Sequence, residues 1–356
     1  MMEMTLDIAV ETSSTSRIAE VDFNNIQFGR VFSDHQFIVD FDGEHWINPR
    51  VVPYGKIAMS PAISAIHYGQ SIFEGMKAFK DKEGNPQLFR PLDNWKRLNR
   101  SAQRMGMQEI PEEFFMEGLR ALLTVDSDWI PTSAGSALYL RPCMFATDDF
   151  IGVRPSSTYT FVIFSCPVGA YYSQPLKVKA ETHYIRAAEG GTGNAKCAGN
   201  YGSVMLPTRI AQEEGFNQVM WLDADKHEMI EETGTTNLFI RIDDTLITPS
   251  TSRGTILEGI TRDSVLTLAK SWNWKIEIRD IGIHELFEAY RAGTLKEVFA
   301  AGTAATIAQI EVIHYEGEEI RLGGLATWEW SHLLKNTLEQ IKIGQIADDF
   351  DWMTRI

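Results

Sequence analysis

The sequence predicts a mixed α/β protein of two domains, an N-terminal α/β domain and a strand-rich C-terminal domain. Three observations predict it. The chain has 356 residues, enough for two domains of ordinary size. Its first half alternates amphipathic helices with runs of aromatic and β-branched residues. The segment "CPVGAYYSQP" (Cys166–Pro175) then breaks the pattern, and strands dominate the remainder of the chain. The expected division is residues 1–165, a linker at 166–175 carrying Tyr171 and Tyr172, and residues 176–356. The first twenty or so residues are expected to form a loose arm.

"QFIVDF" (Gln36–Phe41) reads as a strand. "DNWKRLNRSAQRMG" reads as a helix with Asp93 as N-cap and Gly106 ending it. In "PEEFFMEGLRALLTV", Pro111 suits the first helical turn, and Glu112 and Glu113 suit the positive end of the helix dipole. "SALYLRPCMF" and "TYTFVIFSCPV" are strands. After the break come a strand near "LKVKAETHYI", a glycine-rich segment, and a helix at "SVMLPTRIAQEEG" despite Pro207. "QVMWLDA" is a strand, and "TNLFIRIDDTLITPS" is a hairpin turning near Asp243–Asp244. "ITRDSVLTLAKSWN" is a helix opened by the loop "RGTILEG". "EVFAAGTAATIAQIEVI" reads as strand, small-residue turn and strand, and "ATWEWSHLLKNTLEQIKIG" as a helix stopped by Gly344.

Composition narrows the function. A formal net charge of −15 argues against nucleic acid or an anionic membrane as the main partner. It leaves acidic small molecules open, because a basic pocket can sit inside an acidic shell. Cys143, Cys166 and Cys197 have neither metal-ligand nor disulfide-framework spacing, so no metal is expected and a reducing cytoplasm fits best. No stretch of about 18 apolar residues exists, and the N-terminus reads neither as a signal peptide nor as a transit peptide.

The segment "GGTGNAKCAGNYG" (Gly190–Gly202) sets a lone lysine, Lys196, among five glycines. One chemistry that uses such a lysine is the phosphate-binding loop, G-x-x-x-x-G-K-[ST]. Here Ala195 and Cys197 fail two of its four defining positions, and a thiol cannot replace the hydroxyl that holds magnesium. The other chemistry is a Schiff base with an aldehyde cofactor. It needs a lysine, a cup for a phosphate and a carboxylate opposite the pyridine nitrogen, which keeps the ring protonated and able to accept electrons. Candidates for each part exist. "EETGTTN" supplies Glu231 and Glu232 just before a strand. "EGITRDSV" places Gly259, Ile260 and Thr261 at a helix start, where backbone N–H groups bind phosphate. "AAGTAA" offers Thr303, "QLFRPLDNW" offers Arg90, and Tyr201 could face the ring's phenolate oxygen. Taken singly, each also reads as an ordinary loop, cap or surface ion pair.

Together, these segments resemble the branched-chain amino acid aminotransferases, pyridoxal phosphate enzymes of fold type IV. "HYGQSIFEGMKAF", "LFRPLDNWKRLNRSAQRM", "LYLRPCMFATDDFIGV", "SCPVGAYY", "GGTGNAKCAGNYG", "QVMWLDADKHEMIEETGTTNLF", "ILEGITRDSVL" and "VFAAGTAA" stand in the family's order and cover nearly the whole chain. "IKIGQIADDFDW" resembles the tail of the longer, eukaryote-like branch. The resemblance implies a C-terminal pseudo-barrel domain, with the cofactor held between the two domains. It implies Lys196 as the Schiff-base lysine and proton carrier, and Glu232 as partner of the pyridine nitrogen, with Glu231 pointing away. Tyr201 would bind the phenolate oxygen. Arg90, Thr303 and the backbone of Ile260 and Thr261 would hold the phosphate, and the N–H groups of Thr303 and Ala304 would also take the substrate α-carboxylate. Phe28, Tyr68, Phe73 and Tyr139 would wall the side-chain pocket. Arg141, two residues beyond Tyr139 on one strand, would share its face. Without the resemblance, Tyr68, Phe73 and Tyr139 read as simple core packing.

The implied reaction moves the amino group between leucine, isoleucine or valine and 2-oxoglutarate, giving branched-chain 2-oxo acids and glutamate. One pocket must then hold an aliphatic chain and a γ-carboxylate in turn. Aromatic walls serve the first, at roughly 25 cal/mol per Å² of apolar area. Arg141 and the Tyr139 hydroxyl serve the second, which could not stay buried unpaired. A homodimer is implied as well. The sequence departs from some relatives that carry a C-x-x-C redox pair after the GTA turn. Ala305 and Ala308 stand there, so that thiol switch is not available. Within the same fold, a D-amino acid aminotransferase or a chorismate-derived lyase is the nearest other enzyme. Outside it stands a non-enzymatic cofactor carrier, which would not need Glu232.

Overall fold

A computed structural model describes residues 6–23, 25–169 and 174–356. Tyr171 and Tyr172 lie outside the described residues. The chain divides into two compact units. Described residues up to 169, with Ala195–Ala198 and Glu339–Ile356, form one; described residues from 174 to 194, with Gly199–Leu338, form the other.

The first unit begins with strands β1 (Ala9–Val10), β2 (His35–Phe41) and β3 (Trp46–Pro53), and the short helix α1 (Ser64–His67). There follow β4 (Ser71–Phe73), β5 (Met76–Lys80), β6 (Pro86–Phe89), the helices α2 (Pro91–Arg104) and α3 (Glu112–Val125), and the long strands β7 (Ala137–Ala146) and β8 (Tyr159–Val168). In α3 the buried residues Phe115, Leu119 and Leu122 recur at helical spacing. They pack on β2 and β3 in a core that includes Phe37 and Phe161.

The second unit holds β9 (Leu176–Ala180), α5 (Met205–Glu213), β10 (Gln218–Leu222), β11 (Ile230–Thr233), β12 (Thr236–Ile242) and β13 (Thr245–Thr248). It continues with α6 (Ile260–Ser271), β14 (Lys275–Ile278), α7 (Ile283–Arg291), β15 (Leu295–Gly302), β16 (Thr306–Tyr315) and β17 (Glu318–Arg321). Helix α4 (Ala198–Gly202) precedes α5, and α8 (Glu329–Lys342) leads to the last strand, β18 (Met353–Arg355). Strand β11 pairs with both β10 and β12, so β9, β10, β11, β12, β15 and β16 close into a six-stranded barrel. Closure leaves none of the six with an open edge. Strands β9 and β10 run parallel, which demands a crossover, and α5 lies in it.

The first sheet runs β1-β3-β2-β8-β7-β5-β6-β18, with β4 also on β7. Its last member corrects the expected division, which gave everything after residue 176 to the second domain. The tail returns to the first unit because β6 has an unpaired edge, and Met353–Arg355 fill it antiparallel to Gln87–Phe89.

Local details also differ from expectation. Helix α2 starts at Pro91 with Arg90 as N-cap, three residues earlier than expected, because proline fixes the backbone for a helix start. Asp93 therefore lies in the first turn and caps nothing. Pro111 is the N-cap residue of α3 rather than a member of its first turn. Pro207 is the third residue of α5, where its missing N–H interrupts no helical bond. Helix α7 was not expected, although Ile283, Leu286, Phe287 and Tyr290 follow helical spacing.

Candidate active site

Lys196 lies in the stretch Ala195–Ala198, which joins the first unit. Its carbonyl accepts the Phe73 N–H at 3.0 Å. Its own N–H donates to the hydroxyl of Ser101, a buried residue on α2, at 2.9 Å. The neighbours Ala195 and Cys197 are buried in the first core, and Cys197 bridges to Ile72 on β4. The lysine backbone is thus fixed on both sides, while its Nζ reaches to 4.9 Å from the centre of the Phe73 ring.

The same ring takes a second cation. The Arg141 guanidinium lies 4.7 Å from the Phe73 centroid and 5.5 Å from that of Tyr139. Arg141 Nη2 donates to the Tyr139 hydroxyl at 3.2 Å, so the two share a face of β7 as their spacing requires. Phe28 meets Tyr139 edge to face at 5.1 Å. Tyr68 is exposed, and its described ring neighbour is His67, at 6.1 Å. The sequence reading missed the pair beneath this group. Glu74, next to Phe73, is fully buried and receives both Arg97 Nε and Nη2 at 2.7 Å. Such bidentate charge-assisted bonds fix geometry as well as energy.

Arg90 has left-handed backbone, φ 52° and ψ 49°, a conformation that costs a non-glycine residue about 1–3 kcal/mol. The tail helps to hold it there. Its N–H donates to the Trp352 carbonyl at 2.7 Å, and its guanidinium lies over the Trp352 ring. Its Nε also bonds Asp93 at 2.7 Å. Neither Asp93 nor Trp352 had been read as a neighbour of this arginine.

In the second unit, the "EETGTTN" motif is the hairpin between β11 and β12. Glu232 and Asn237 are paired directly across it. Both reach the same backbone residue: Glu232 Oε1 accepts the Leu257 N–H at 2.7 Å, and Asn237 Nδ2 donates to the Leu257 carbonyl at 2.9 Å. The other oxygen of Glu232 lies 3.0 Å from Arg186 Nε, both side chains being buried. Arg186 extends the clamp, donating to the Thr255 carbonyl at 2.7 Å and to the Gly193 carbonyl at 3.1 Å. Sequence reading missed Arg186, which stands in no motif. The glycine at 193 is explained by this packing, since a Cβ there would come within 2.5 Å of the Thr255 carbonyl oxygen.

The segment held by this clamp runs straight into α6. Gly259 precedes the helix in extended conformation and offers no side-chain cap to its first turn, which begins with the buried residues Ile260 and Thr261. A Cβ at Gly259 would lie 1.9 Å from Asn237 Oδ1, so only glycine fits. Thr303 and Ala304 form the turn between β15 and β16, both half-buried. The next residue but one, Thr306, is β-branched with φ 58°, a second strained position. Tyr201 is half-buried in α4.

These residues fit pyridoxal phosphate. The first unit supplies an amine on a fixed backbone. The second supplies a buried carboxylate held by an arginine and an amide, and a helix start that presents backbone N–H groups to an anion. Among the described residues no cluster could hold a metal ion, and no helix is long and apolar enough to cross a membrane.

Comparisons with known proteins agree with this chemistry. The family model described as "Amino-transferase class IV" matches residues 71–313. The "Branched-chain-amino-acid aminotransferase 2" of Bacillus subtilis is 42% identical over 353 residues, covering 98% of this chain and 97% of the relative. The "Branched-chain-amino-acid aminotransferase" of Mycolicibacterium smegmatis is 40% identical over 352 residues, 96% of this chain and 95% of the relative. Among solved structures, the branched-chain aminotransferase from Thermoproteus uzoniensis, with norvaline, is similar in fold. It has a TM-score of 0.73 at 24% identity, over 90% of this chain and 99% of that one.

Proposed function

The chain belongs to the class IV aminotransferases and is a pyridoxal phosphate-dependent branched-chain amino acid aminotransferase, and from that premise we propose the roles its residues play. It exchanges an amino group between branched-chain amino acids and 2-oxoglutarate. The observation that carries the reading is the Phe73 ring, with Lys196 Nζ at 4.9 Å and the Arg141 guanidinium at 4.7 Å. An apolar wall, an amine that can move a proton and a fixed cation meet at one side chain.

When bound, the cofactor supplies the electron sink for the charge left on the substrate α-carbon. Lys196 would hold it through its amine, and that amine would move the proton from the substrate α-carbon to the cofactor. Glu232 keeps a negative charge at the ring nitrogen, and Arg186 and the Leu257 N–H hold that carboxylate in place. The start of α6 at Ile260 and Thr261, with Arg90 and Thr303, binds the phosphate, and Tyr201 the phenolate oxygen. Thr303 and Ala304 receive the α-carboxylate. Phe28, Tyr68, Phe73 and Tyr139 line the side-chain pocket, and Arg141 with the Tyr139 hydroxyl answers the γ-carboxylate of glutamate. Incubation of the purified holoenzyme with L-leucine and 2-oxoglutarate tests the reading. Glutamate and 4-methyl-2-oxopentanoate are expected in equal amounts, and no glutamate would overturn it.

A homodimer is part of the same proposal. The loop after β7 exposes Phe150, Ile151 and Val153, the last 91% accessible, and such contiguous apolar surface suits a second copy. Sedimentation at micromolar concentration should give twice the chain mass, and a monomer there would rule the dimer out. The free cysteines support a reducing, cytoplasmic setting.

A further inference from the structure

Residues 348–356 return to the first unit with more than a strand. Beside the pairing of β18 with β6, they bury Trp352, which is 7% exposed. Its ring meets Phe89 edge to face at 5.6 Å and stacks on Phe350 at 4.5 Å. The turn that carries it is fixed at Asp348. Asp348 Oδ1 accepts the Phe350 N–H at 3.3 Å, and Oδ2 accepts the Met353 N–H at 2.7 Å. A cation lies against the same ring, since the Arg90 guanidinium is 5.6 Å from the Trp352 centroid.

Arg90 is held from three sides. Helix α2 takes its carbonyl, through the Asn94 N–H at 3.3 Å and the Asn94 side-chain amide at 2.9 Å. Asp93 takes Nε at 2.7 Å. Trp352 supplies the third side twice over: its carbonyl accepts the Arg90 N–H at 2.7 Å, and its indole faces the guanidinium. Two properties make this side matter. The φ of 52° is sparsely populated for a residue with a Cβ, so it persists only where neighbours hold it. An aromatic face also orients a guanidinium without competing for its N–H donors, which point outward in the plane.

Resting on the reading of Arg90 as a phosphate ligand, we propose that Trp352 is a positioning residue for that ligand. Residues 348–356 act as a clip. The Trp352 carbonyl fixes the backbone of Arg90, the indole fixes the plane of its guanidinium, and Asp348 fixes the turn from which both act. The effect of Trp352 therefore falls on the phosphate and not on the aldehyde end of the cofactor. The plainer alternative is that Trp352 only fills space beside Phe89 and Phe350. Its loss would then weaken the first unit without distinguishing one part of the cofactor from another.

The test is the affinity of the apoenzyme for two aldehydes, read by equilibrium dialysis without turnover. Pyridoxal phosphate and pyridoxal differ only in the phosphate and present the same aldehyde to Lys196. The ratio of their dissociation constants therefore isolates the phosphate. Trp352→Leu should weaken pyridoxal phosphate about tenfold and leave pyridoxal within about twofold. Arg90→Gln should show the same selective loss, and a larger one. In the Arg90→Gln background, Trp352→Leu should add less than about twofold, because the residue it positions is gone. Equal losses of the two aldehydes in Trp352→Leu, no loss at all, or an undiminished further loss on top of Arg90→Gln overturns the proposal. Asp348→Ala loosens the turn and keeps all three rings, so it carries the test if Trp352→Leu does not fold. It should show a selective loss as well, and an unchanged ratio there overturns the proposal. Arg90→Gln separates the two readings. Equal losses of both aldehydes in that variant would sink Arg90 as a phosphate ligand, whereas a selective loss there beside none in Trp352→Leu would sink only the role of Trp352.

Discussion

The two units hold their candidate residues by different forces. In the first, the groups around Phe73 touch through ring faces: Lys196 and Arg141 over Phe73, Arg141 over Tyr139, and Phe28 edge-on to Tyr139. In the second, direction governs. Glu232 receives one amide and one guanidinium, Arg186 makes two further bonds to carbonyls, and Asn237 completes the hold on Leu257. A ring face accepts a cation or an aliphatic chain over a range of positions. A hydrogen bond weakens steeply when its angle is lost. The contrast suits the roles proposed above: the residues around Phe73 would meet two substrates of unlike polarity, while those around Glu232 would serve a ring that never changes. Substitutions on either side of that contrast should differ in their effect on turnover, the largest falling on the lysine.

Lys196→Ala removes the amine proposed to join the cofactor and carry the proton. Steady turnover should be lost, and reduction with borohydride should no longer couple cofactor to the chain. The cofactor should still bind through its phosphate. A variant chain that is still labelled would mean that another lysine is the anchor.

Glu232→Gln attacks the directional half. The amide can keep the Leu257 bond but loses its charge against Arg186. Removing one preorganised electrostatic partner typically costs about 2.7–4 kcal/mol of transition-state stabilisation, a factor of roughly 10²–10³ in rate. Single-turnover absorbance with leucine and with glutamate should show equal losses, because both use the same ring nitrogen. A loss confined to one substrate would blur the division of labour between the units.

The directional half was legible in the sequence only where a motif carried it. Glu232 could be marked because it stands in a motif, whereas Asn237, which the short hairpin sets opposite it, was not singled out. Their common target, Leu257, lies in a different motif, and no spacing joins the two. Arg186 could not be found at all, since it acts through carbonyls that belong to no residue type in particular. The resemblance implied that Glu231 points away from the ring nitrogen; as neighbours on β11 it and Glu232 leave opposite faces of the strand, but its burial is a property of packing. The folding elements show the same limit. Period and turn residues located most of the helices and strands, whereas the return of β18 to β6 depended on an open sheet edge far away in sequence.

Arg141→Ala tests the aromatic half for selectivity. Arg141 reaches Phe73, Tyr139 and the Tyr139 hydroxyl, so its loss removes the guanidinium from this apolar wall and leaves Lys196 over Phe73. Truncating one partner of a buried charge pair costs on the order of 2–5 kcal/mol. The glutamate half-reaction should fall more than tenfold in catalytic efficiency and the leucine half-reaction much less. Equal losses would show that this wall does not discriminate, and that Arg141 supports the fold or binds the α-carboxylate.

The smallest effect on turnover is expected away from both halves, where the first unit buries two lysines. Lys342, 4% exposed at the end of α8, lies 4.7 Å from the Phe89 ring centroid. Burial lowers its amine to about 7, helped by the charge of Lys77 and opposed by Glu339, and Lys77 is lowered by burial to about 8. The sign of the consequence is opposite to that at Glu231. Between pH 7 and the ordinary lysine value of 10.5 the unfolded chain holds a proton at Lys342 that the folded chain has released. Stability therefore rises with pH across that window, and below it the folded protein bears the full cost of a buried charge. For Glu231, which burial pushes up, the window lies between the ordinary value of 4.5 and about 7, and there the folded chain is the one that keeps the proton, so stability falls as pH rises. Lys342→Met should leave both half-reactions within about twofold, and at pH 6 it should stabilise by about 1–4 kcal/mol, the range seen when buried charges give way to apolar packing. The gain should shrink as pH climbs and vanish near 10.5. Thermal or urea melts of the two proteins at pH 6, 8 and 10 measure it directly. A gain that is the same at all three would mean that Lys342 holds its proton equally in the folded and the unfolded chain, and that methionine merely fills its space better.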